Sequence, residues 1–371
     1  MSKVTKIELV MVDLKPETVR QDAIQSFVSQ ETPIIKIIDE DGNVGVGYTY
    51  TIGTGGTSII ALIKEHLAPF IIGKDADNIE RIWQDMLYHT HATAVGAITS
   101  LALACIDIAL WDLKAKKMKT PLYKLLGGHK DKVKVYSTEG GWLNLETEEL
   151  VSKTLAVQKL GFAGAKIKVG KEFISQDVAR LTAVRNAVGD NFEIMVDANQ
   201  SFSLSESIRR AEAFKPFNLA WLEEPINADD VMAHKKLCSH TSIPIAVGES
   251  MYSLSQFKDY LQSGACTIIQ ADVARVGGIT PWMKLAHLAE AFNVDISPHF
   301  LMEAHVSLCC AVPSSGWLEY IPQLTRIVNT EMKIENGYAY PSDDYGLGID
   351  WNWDAIDALS IVNHTIKGNI P

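Results

Sequence analysis

From Val133 onward the chain repeats one arrangement eight times: a short apolar run that closes on polar or charged residues, then a segment of helical periodicity. The runs are VKVYST near 133, AKIKV at 165, FEIMVDAN at 192, LAWLEEP at 219, PIAVGES at 244, TIIQADV at 267, VDISPHF at 294 and WLEYI at 317. Their starts lie roughly 25 residues apart, the length in which a strand, a crossover helix and two turns fit. Eight such units in succession suit a closed parallel barrel, whose strands are buried on both faces and therefore read as apolar along their length. The fold class expected is α/β, a (β/α)8 TIM-like barrel.

The flanks read differently. Lys6–Leu14 and Ile34–Asp39 have strand character, and Asp41-Gly42 marks a hairpin turn after the second. Thr99–Lys117 has helical periodicity and is apolar enough to be buried on most sides, and Leu125-Leu126-Gly127-Gly128 is a helix stop. After about residue 330 the sequence is turn-rich, with Pro341-Ser342-Asp343-Asp344 and Gly346-Leu347-Gly348. The organisation expected is an α+β capping domain over 1–130, the barrel over 131–325, and a C-terminal segment, 326–371, returning to the cap. A length of 371 residues with 47% hydrophobic content suits a large domain plus a smaller one.

Composition narrows the partners. The net charge is −11 and no Lys/Arg cluster stands out, which argues against nucleic-acid binding. No apolar run is long enough to span a bilayer. The N-terminal MSKVTKIELVMVDL alternates like a strand and lacks the core of a signal peptide, so a cytoplasmic protein is expected. Cys105, Cys238, Cys266, Cys309 and Cys310 are odd in number and form no CxxC, which reads as free thiols in a reducing compartment.

The chemistry sits at the ends of the apolar runs. In barrels, reactive groups lie at the C-terminal ends of the strands, and a charge there is costly unless it is paired or holds a metal. Asp197, Glu223 and Glu249 succeed one another at intervals of 26 residues and close the third, fourth and fifth runs. Three converging carboxylates repel unless a hard cation lies between them, and an oxygen-only set with room for water and substrate suits Mg²⁺. Lys166 and Lys168 alternate on the second strand and share one face. Two ammonium groups near a cation are expected to lower each other's pKa, which would fit a lysine to act as a base near neutral pH. Asp272 and His299 close neighbouring runs, an arrangement in which a carboxylate fixes the imidazole tautomer. Glu319 on the last strand is expected to be raised in pKa by burial and to donate a hydrogen bond to a substrate carboxylate.

These residues, in the order KIK, DAN with Asn199, EEP, GES, Asp272, His299 and Glu319, resemble the mandelate racemase subgroup of the enolase superfamily over essentially the whole chain. The resemblance implies Mg²⁺ on Asp197, Glu223 and Glu249. It implies Lys168 as base on one face of the substrate α-carbon and His299, supported by Asp272, on the other. Lys166 and Glu319 would then stabilise the carboxylate as it becomes an enediolate. The muconate-cycloisomerase type carries a lysine where this chain has Asp272, and the glucarate-dehydratase type an asparagine where it has Glu249. Family members commonly form homo-oligomers.

The fate of the intermediate after proton loss stays open at this level. Protonation of the opposite face by His299 gives a racemase or epimerase; protonation of a β-hydroxyl gives a dehydratase. A Schiff-base aldolase and a non-catalytic barrel are remoter readings. The segments GVGYTYTIGTGG and SPHFLMEAH are similar to acid-sugar dehydratases of the talarate/galactarate kind, and the loop Lys15–Thr32 is polar, as hydroxyl-rich substrates require. Arg20, Gln25, Tyr48, Tyr50 and Asn199 are the candidate substrate-binding residues, and an acid sugar is the expected substrate.

Overall fold

The computed structural model describes residues 2–368. Its first unit is an antiparallel meander of β1 (Val4–Asp13), β2 (Glu31–Asp39) and β3 (Val44–Tyr48). The β2–β3 turn falls at the expected Asp41-Gly42. There Asp39 accepts bonds from the backbone N–H of Asp41 (3.1 Å) and Asn43 (2.8 Å), and Gly42 takes φ +81°. One face of this sheet receives the helix Ala97–Lys117, which is buried along nearly its full length as its composition suggested.

Glycine spacing in β3 sets how closely that helix lies. A β-carbon on Gly45 would overlap the carbonyl of Ala109, and one on Gly47 the carbonyl of Cys105. Helix backbone therefore rests directly on strand backbone, and neither side can retreat from a close-packed core. Gly47→Ala is expected to cost about 2–3 kcal/mol or more of stability, read as a lower midpoint in denaturant melts; a midpoint equal to wild type would contradict this packing.

The eight apolar runs each contribute a barrel strand: β4 (Val133–Ser137), β5 (Gly164–Lys168), β6 (Glu193–Asp197), β7 (Trp221–Glu223), β8 (Ile245–Val247), β9 (Ile268–Ile269), β10 (Asp295–Ile296) and β11 (Trp317–Tyr320). Parallel ladders join β4 through β10 in sequence order, and β11 pairs with β4. The ring closes between β10 and β11 through the Ile296–Ser315 bridge, with Ile296 N–H donating to Ser314 and Gly316 N–H to Ile296. Strands β9 and β10 are much shorter than their apolar runs. After β9 the Asp272 carboxylate accepts the N–H groups of Ala274 and Arg275 and curls the chain out of the ladder. Within the ring, Tyr136, Met195, Trp221 and Ala246 form a packed floor, Tyr136 standing edge-on to Trp221.

The C-terminal segment is divided between the two units, a correction to the simple return expected for 326–371. The hairpin β12 (Ile334–Glu335) and β13 (Tyr338–Ala339) stays on the barrel, antiparallel to the start of β4. The reason lies in register. Strand β5 begins opposite Tyr136, which leaves the edge at Val133 and Lys134 open to the hairpin. The rest of the segment runs along the cap: Leu347 N–H donates to Asp112 (2.8 Å), Trp351 stands edge-on to Tyr48, and after the helix Trp353–Leu359 strand β14 (Ser360–Lys367) pairs with β1. The cap is fastened to the barrel by polar bonds. Trp83 Nε1 donates to Gly277 O (2.8 Å), and buried Asp107 accepts from Thr280 N (2.9 Å) and Oγ1 (2.6 Å) at the start of the helix Ile279–Ala291.

Candidate active site

Parallel register aligns the first functional row. Lys168, Asp197 and Glu223 are successive Cα partners across β5, β6 and β7, so their side chains leave the ring at one level. Lys166, two residues below Lys168, shares its face. All four are almost wholly buried. Lys168 Nζ lies 2.5 Å from Asp197 Oδ2 and 3.0 Å from Asn199 Oδ1. Lys166 Nζ lies 2.7 Å from Glu319 Oε1, 2.9 Å from Glu223 Oε1 and 3.7 Å from Asp197 Oδ2. Asn199 is held for its contact by its own N–H bond to Asp197 Oδ1 (2.8 Å), in a backbone at φ +43°.

Glu249 completes the row. Asp197, Glu223 and Glu249 each present an oxygen, and these oxygens lie within 4.8 Å of one another. Against Glu249 stands His299, its Nε2 3.4 Å from Glu249 Oε2 and its Nδ1 3.0 Å from Asp272 Oδ2. Lys168 therefore meets the carboxylate group at Asp197, and His299 meets it at Glu249. Glu224, beside Glu223 in sequence, faces away and bonds Gln200 (2.8 Å) and Ser250 (3.0 Å).

The electrostatics correct two sequence expectations. Burial works against the charged form of both lysines, yet each pKa is raised, because Glu223 and Glu319 face Lys166 and Asp197 faces Lys168. The mutual repulsion expected of the KIK pair is outweighed by carboxylates arriving from other strands. Glu319 is likewise not a buried neutral acid. Burial pushes it up, but Lys166 and His299, with Thr138 Oγ1 at 2.5 Å, hold it well below the usual range. Asp197 is lowered in the same way, burial being overcome by Lys168 and Lys166. Burial and the nearby Asp197 push Glu223 up to about 7. Burial opposes the His299 imidazolium, but Glu249 and Asp272 raise its pKa.

The oxygen triad fits a hard divalent cation on chemistry alone. Four carboxylates, Asp197, Glu223, Glu249 and Glu319, meet two lysines here. Burial first, and that surplus of negative charge second, push Glu223 up to about 7, and buried charges of one sign persist only when paired or metal-bound. The donor set is all oxygen, with no thiolate or imidazole inside it, which suits Mg²⁺.

Comparison with known proteins places this geometry in a family. The family model of the mandelate racemase/muconate lactonizing enzyme N-terminal domain matches residues 6–127, and the enolase C-terminal domain-like model matches 149–355. The chain belongs to the mandelate racemase/muconate lactonizing enzyme family. It is 38% identical to the L-talarate/galactarate dehydratase of Salmonella typhimurium over 315 residues, covering 85% of this chain and 79% of that one. It is 33% identical to the 3,6-anhydro-alpha-L-galactonate cycloisomerase of Streptomyces coelicolor, covering 96% and 99%. The crystal structure of L-talarate dehydratase from Polaromonas sp. JS666, complexed with Mg and L-glucarate, superposes with a TM-score of 0.93 at 32% identity, covering 100% of each chain.

For this family member the candidate substrate residues fall in different places. Asn199 is in the site, on Lys168. Tyr50 is buried with its hydroxyl 2.7 Å from Asp272 Oδ2, and Tyr48 faces Glu303 at 3.3 Å. Arg20 is buried and already paired, with Glu139 at 2.5 Å and Pro322 O at 3.0 Å. Gln25 is exposed on the loop between β1 and β2. That loop also exposes Val19, Ile24 and Val28, so it is less uniformly polar than its sequence suggested. Sequence reasoning passed over Thr138, which bonds Glu319, and Arg275, which bonds Tyr50 (3.0 Å) and Glu249 O (2.7 Å). Thr138 directly follows the first barrel strand and Arg275 follows Asp272 by three residues, so position at a strand end was the available signal.

Proposed function

We propose that this protein dehydrates an acid sugar, an aldonate or aldarate, to a 2-keto-3-deoxy acid, with Mg²⁺ held by Asp197, Glu223 and Glu249. The observation that carries the reading is that Lys168 touches Asp197 and His299 touches Glu249, two different members of one carboxylate triad. Likeness to the talarate/galactarate dehydratase of Salmonella supports dehydration over racemisation. Mg²⁺, when bound, supplies positive charge to the substrate carboxylate. Lys168 takes the α-proton in its neutral form, which Asp197 disfavours until a bound cation would share that carboxylate's charge, and its Nζ is aimed by Asn199 and Asp197. Lys166, steadied by Glu319, meets the charge that develops on the carboxylate oxygens as the enediolate forms. His299, turned by Asp272 so that Nε2 faces the substrate, delivers a proton to the β-hydroxyl. The α C–H bond and the β C–O bond break, the released electron pair forms the C=C bond, water leaves, and the enol becomes the 2-keto acid.

The test is to incubate the protein and Mg²⁺ with a library of mono- and diacid sugars and to assay 2-keto acid. Turnover of one or more members, abolished by EDTA, is expected. Silence across the library sinks the dehydratase, and α-proton exchange in D₂O without keto acid moves the protein to the racemases or epimerases. A cytoplasmic location and assembly into a homo-oligomer belong to the same proposal. The five free cysteines support a reducing compartment, and among the described residues no helix is long and apolar enough to cross a membrane. Exposed Ile361 on the outer strand β14 supports association, which light scattering on the purified protein checks.

A further inference from the structure

Tyr50 belongs to the capping domain, two residues past β3, yet its hydroxyl reaches the barrel residue Asp272, 222 positions later. Its hydrogen has only one place to go. Arg275 Nε donates to the Tyr50 oxygen at 3.0 Å, and a guanidinium cannot accept, so the phenolic hydrogen points at Asp272 Oδ2. That oxygen also accepts His299 Nδ1–H, while Oδ1 accepts Ala274 N at 2.7 Å and Arg275 N at 3.3 Å. Every bond that fixes the Asp272 carboxylate is thus accounted for, and Tyr50 is the one contributed by the cap.

The ring adds a second constraint. Tyr50 packs on Phe300 with centroids 4.3 Å apart, and Phe300 stacks on His299 at 5.2 Å and 16°. Phe300 is itself pinned in a left-handed backbone, φ +60°, by its N–H bond to Glu319 (2.9 Å) and by His305 Nδ1 on its carbonyl (2.8 Å). Tyr50 therefore braces the imidazole along its face through Phe300 and along its edge through Asp272.

We propose that Tyr50 is a positioning residue for proton transfer at His299, so that one of the two acid–base arms is completed only by the docked cap. This rests on the reading of His299 as the group that protonates the leaving hydroxyl. A hydrogen-bonded partner that orients a reacting side chain acts within narrow angular limits. Losing the Tyr50 donor lets the Asp272 carboxylate turn about its own axis and carry His299 off line. Lys168 shares no bond with Tyr50, Asp272 or Arg275, so its arm is untouched.

The experiment is Tyr50→Phe in the full chain with Mg²⁺, which keeps the ring on Phe300 and deletes the hydroxyl. Water loss is expected to slow roughly 10- to 100-fold. Exchange of the substrate α-proton in D₂O, the Lys168 step, is expected to stay within about twofold and KM within about threefold. Equal losses in both steps, or none in either, overturn the proposal. A second measurement needs no substrate, so failure of the dehydratase assignment does not reach it. The His299 Nδ1–H proton resonance, identified by its loss in His299→Asn, is expected to move downfield in Tyr50→Phe, because Asp272 Oδ2 then has one donor fewer. An unmoved resonance overturns the proposal. Should Tyr50→Phe not fold, wild-type chain grown with 3-fluorotyrosine, a stronger donor, is expected to shift the same resonance upfield, and no shift has the same consequence.

Discussion

Lys168→Ala is expected to abolish α-proton exchange in D₂O, whereas His299→Asn keeps that exchange and loses the elimination of water. Each substitution removes a general acid or base, an effect of about 10²–10⁴-fold on turnover. The two are distinguishable because their supports are separate. Lys168 is held by Asp197 and Asn199, and His299 by Asp272. Asparagine at 299 is the informative replacement. Its amide nitrogen stands near the place of Nδ1 and still donates to buried Asp272, so the carboxylate is not left unpaired while the working Nε2 is gone. Lys168→Ala likewise leaves Asp197 with Lys166 at 3.7 Å. Thermal melts close to wild type identify the losses as chemical. Full activity in either variant, or identical loss of exchange in both, refutes a two-sided mechanism.

Much of this site was legible before any coordinates, for a physical reason. A strand buried on both faces has to be apolar, so a charge at its end stands out, and eight strands in register bring those ends to one level. Asp197, Glu223, Glu249, Asp272 and His299 could be picked out this way, and Asp41-Gly42 announced its hairpin through backbone preference alone. What was not legible depends on distances between strands remote in sequence. The KIK spacing shows two like charges side by side; it does not show Glu223 and Glu319 arriving beside Lys166, and that arrival reverses the sign of the pKa shift. The same blindness made Glu319 look like a buried neutral acid. Tyr50 looked like a candidate substrate-binding residue because its partner Arg275 lies 225 residues away. The β12–β13 hairpin went unread because it answers a gap in the register of β4 and β5 that no local pattern records.

Removing the divalent cation is expected to destabilise the protein, and more so as pH rises from about 5.5 to 8.5. Burial, with Asp197 nearby, pushes Glu223 up to about 7, and burial, with Glu249 nearby, pushes Glu224 up to about 8. Both folded values lie above the ordinary 4.5, so the folded state binds these protons more tightly than the unfolded chain. The stability tied to them is full below about 4.5 and is lost as pH climbs through 7 to 8. Moving one group from 4.5 to about 7 corresponds to roughly 3 kcal/mol at the limit. Asp197, Asp272 and Glu319 have lowered values, so their contribution is complete before this window opens. Asp107 and Glu303, also near 7, and His305, near 4, titrate outside the triad and affect chelated and Mg²⁺-loaded protein alike. The difference between the two melting curves therefore isolates the groups that touch or adjoin the triad, the carboxylates with Glu224 and with His299. The raised pKa of His299 depends, against burial, on Glu249, and its share is likewise lost as pH rises. The Mg²⁺-induced rise in Tm is accordingly expected to grow with pH. Glu223→Gln sharpens the test. It removes a buried charge that folding disfavours at high pH, so the chelated variant should melt above chelated wild type at pH 8.5 while gaining little from Mg²⁺. A Tm indifferent to Mg²⁺ across the whole range would mean that Asp197, Glu223 and Glu249 do not grip a cation, and the mechanism built around them would go with it.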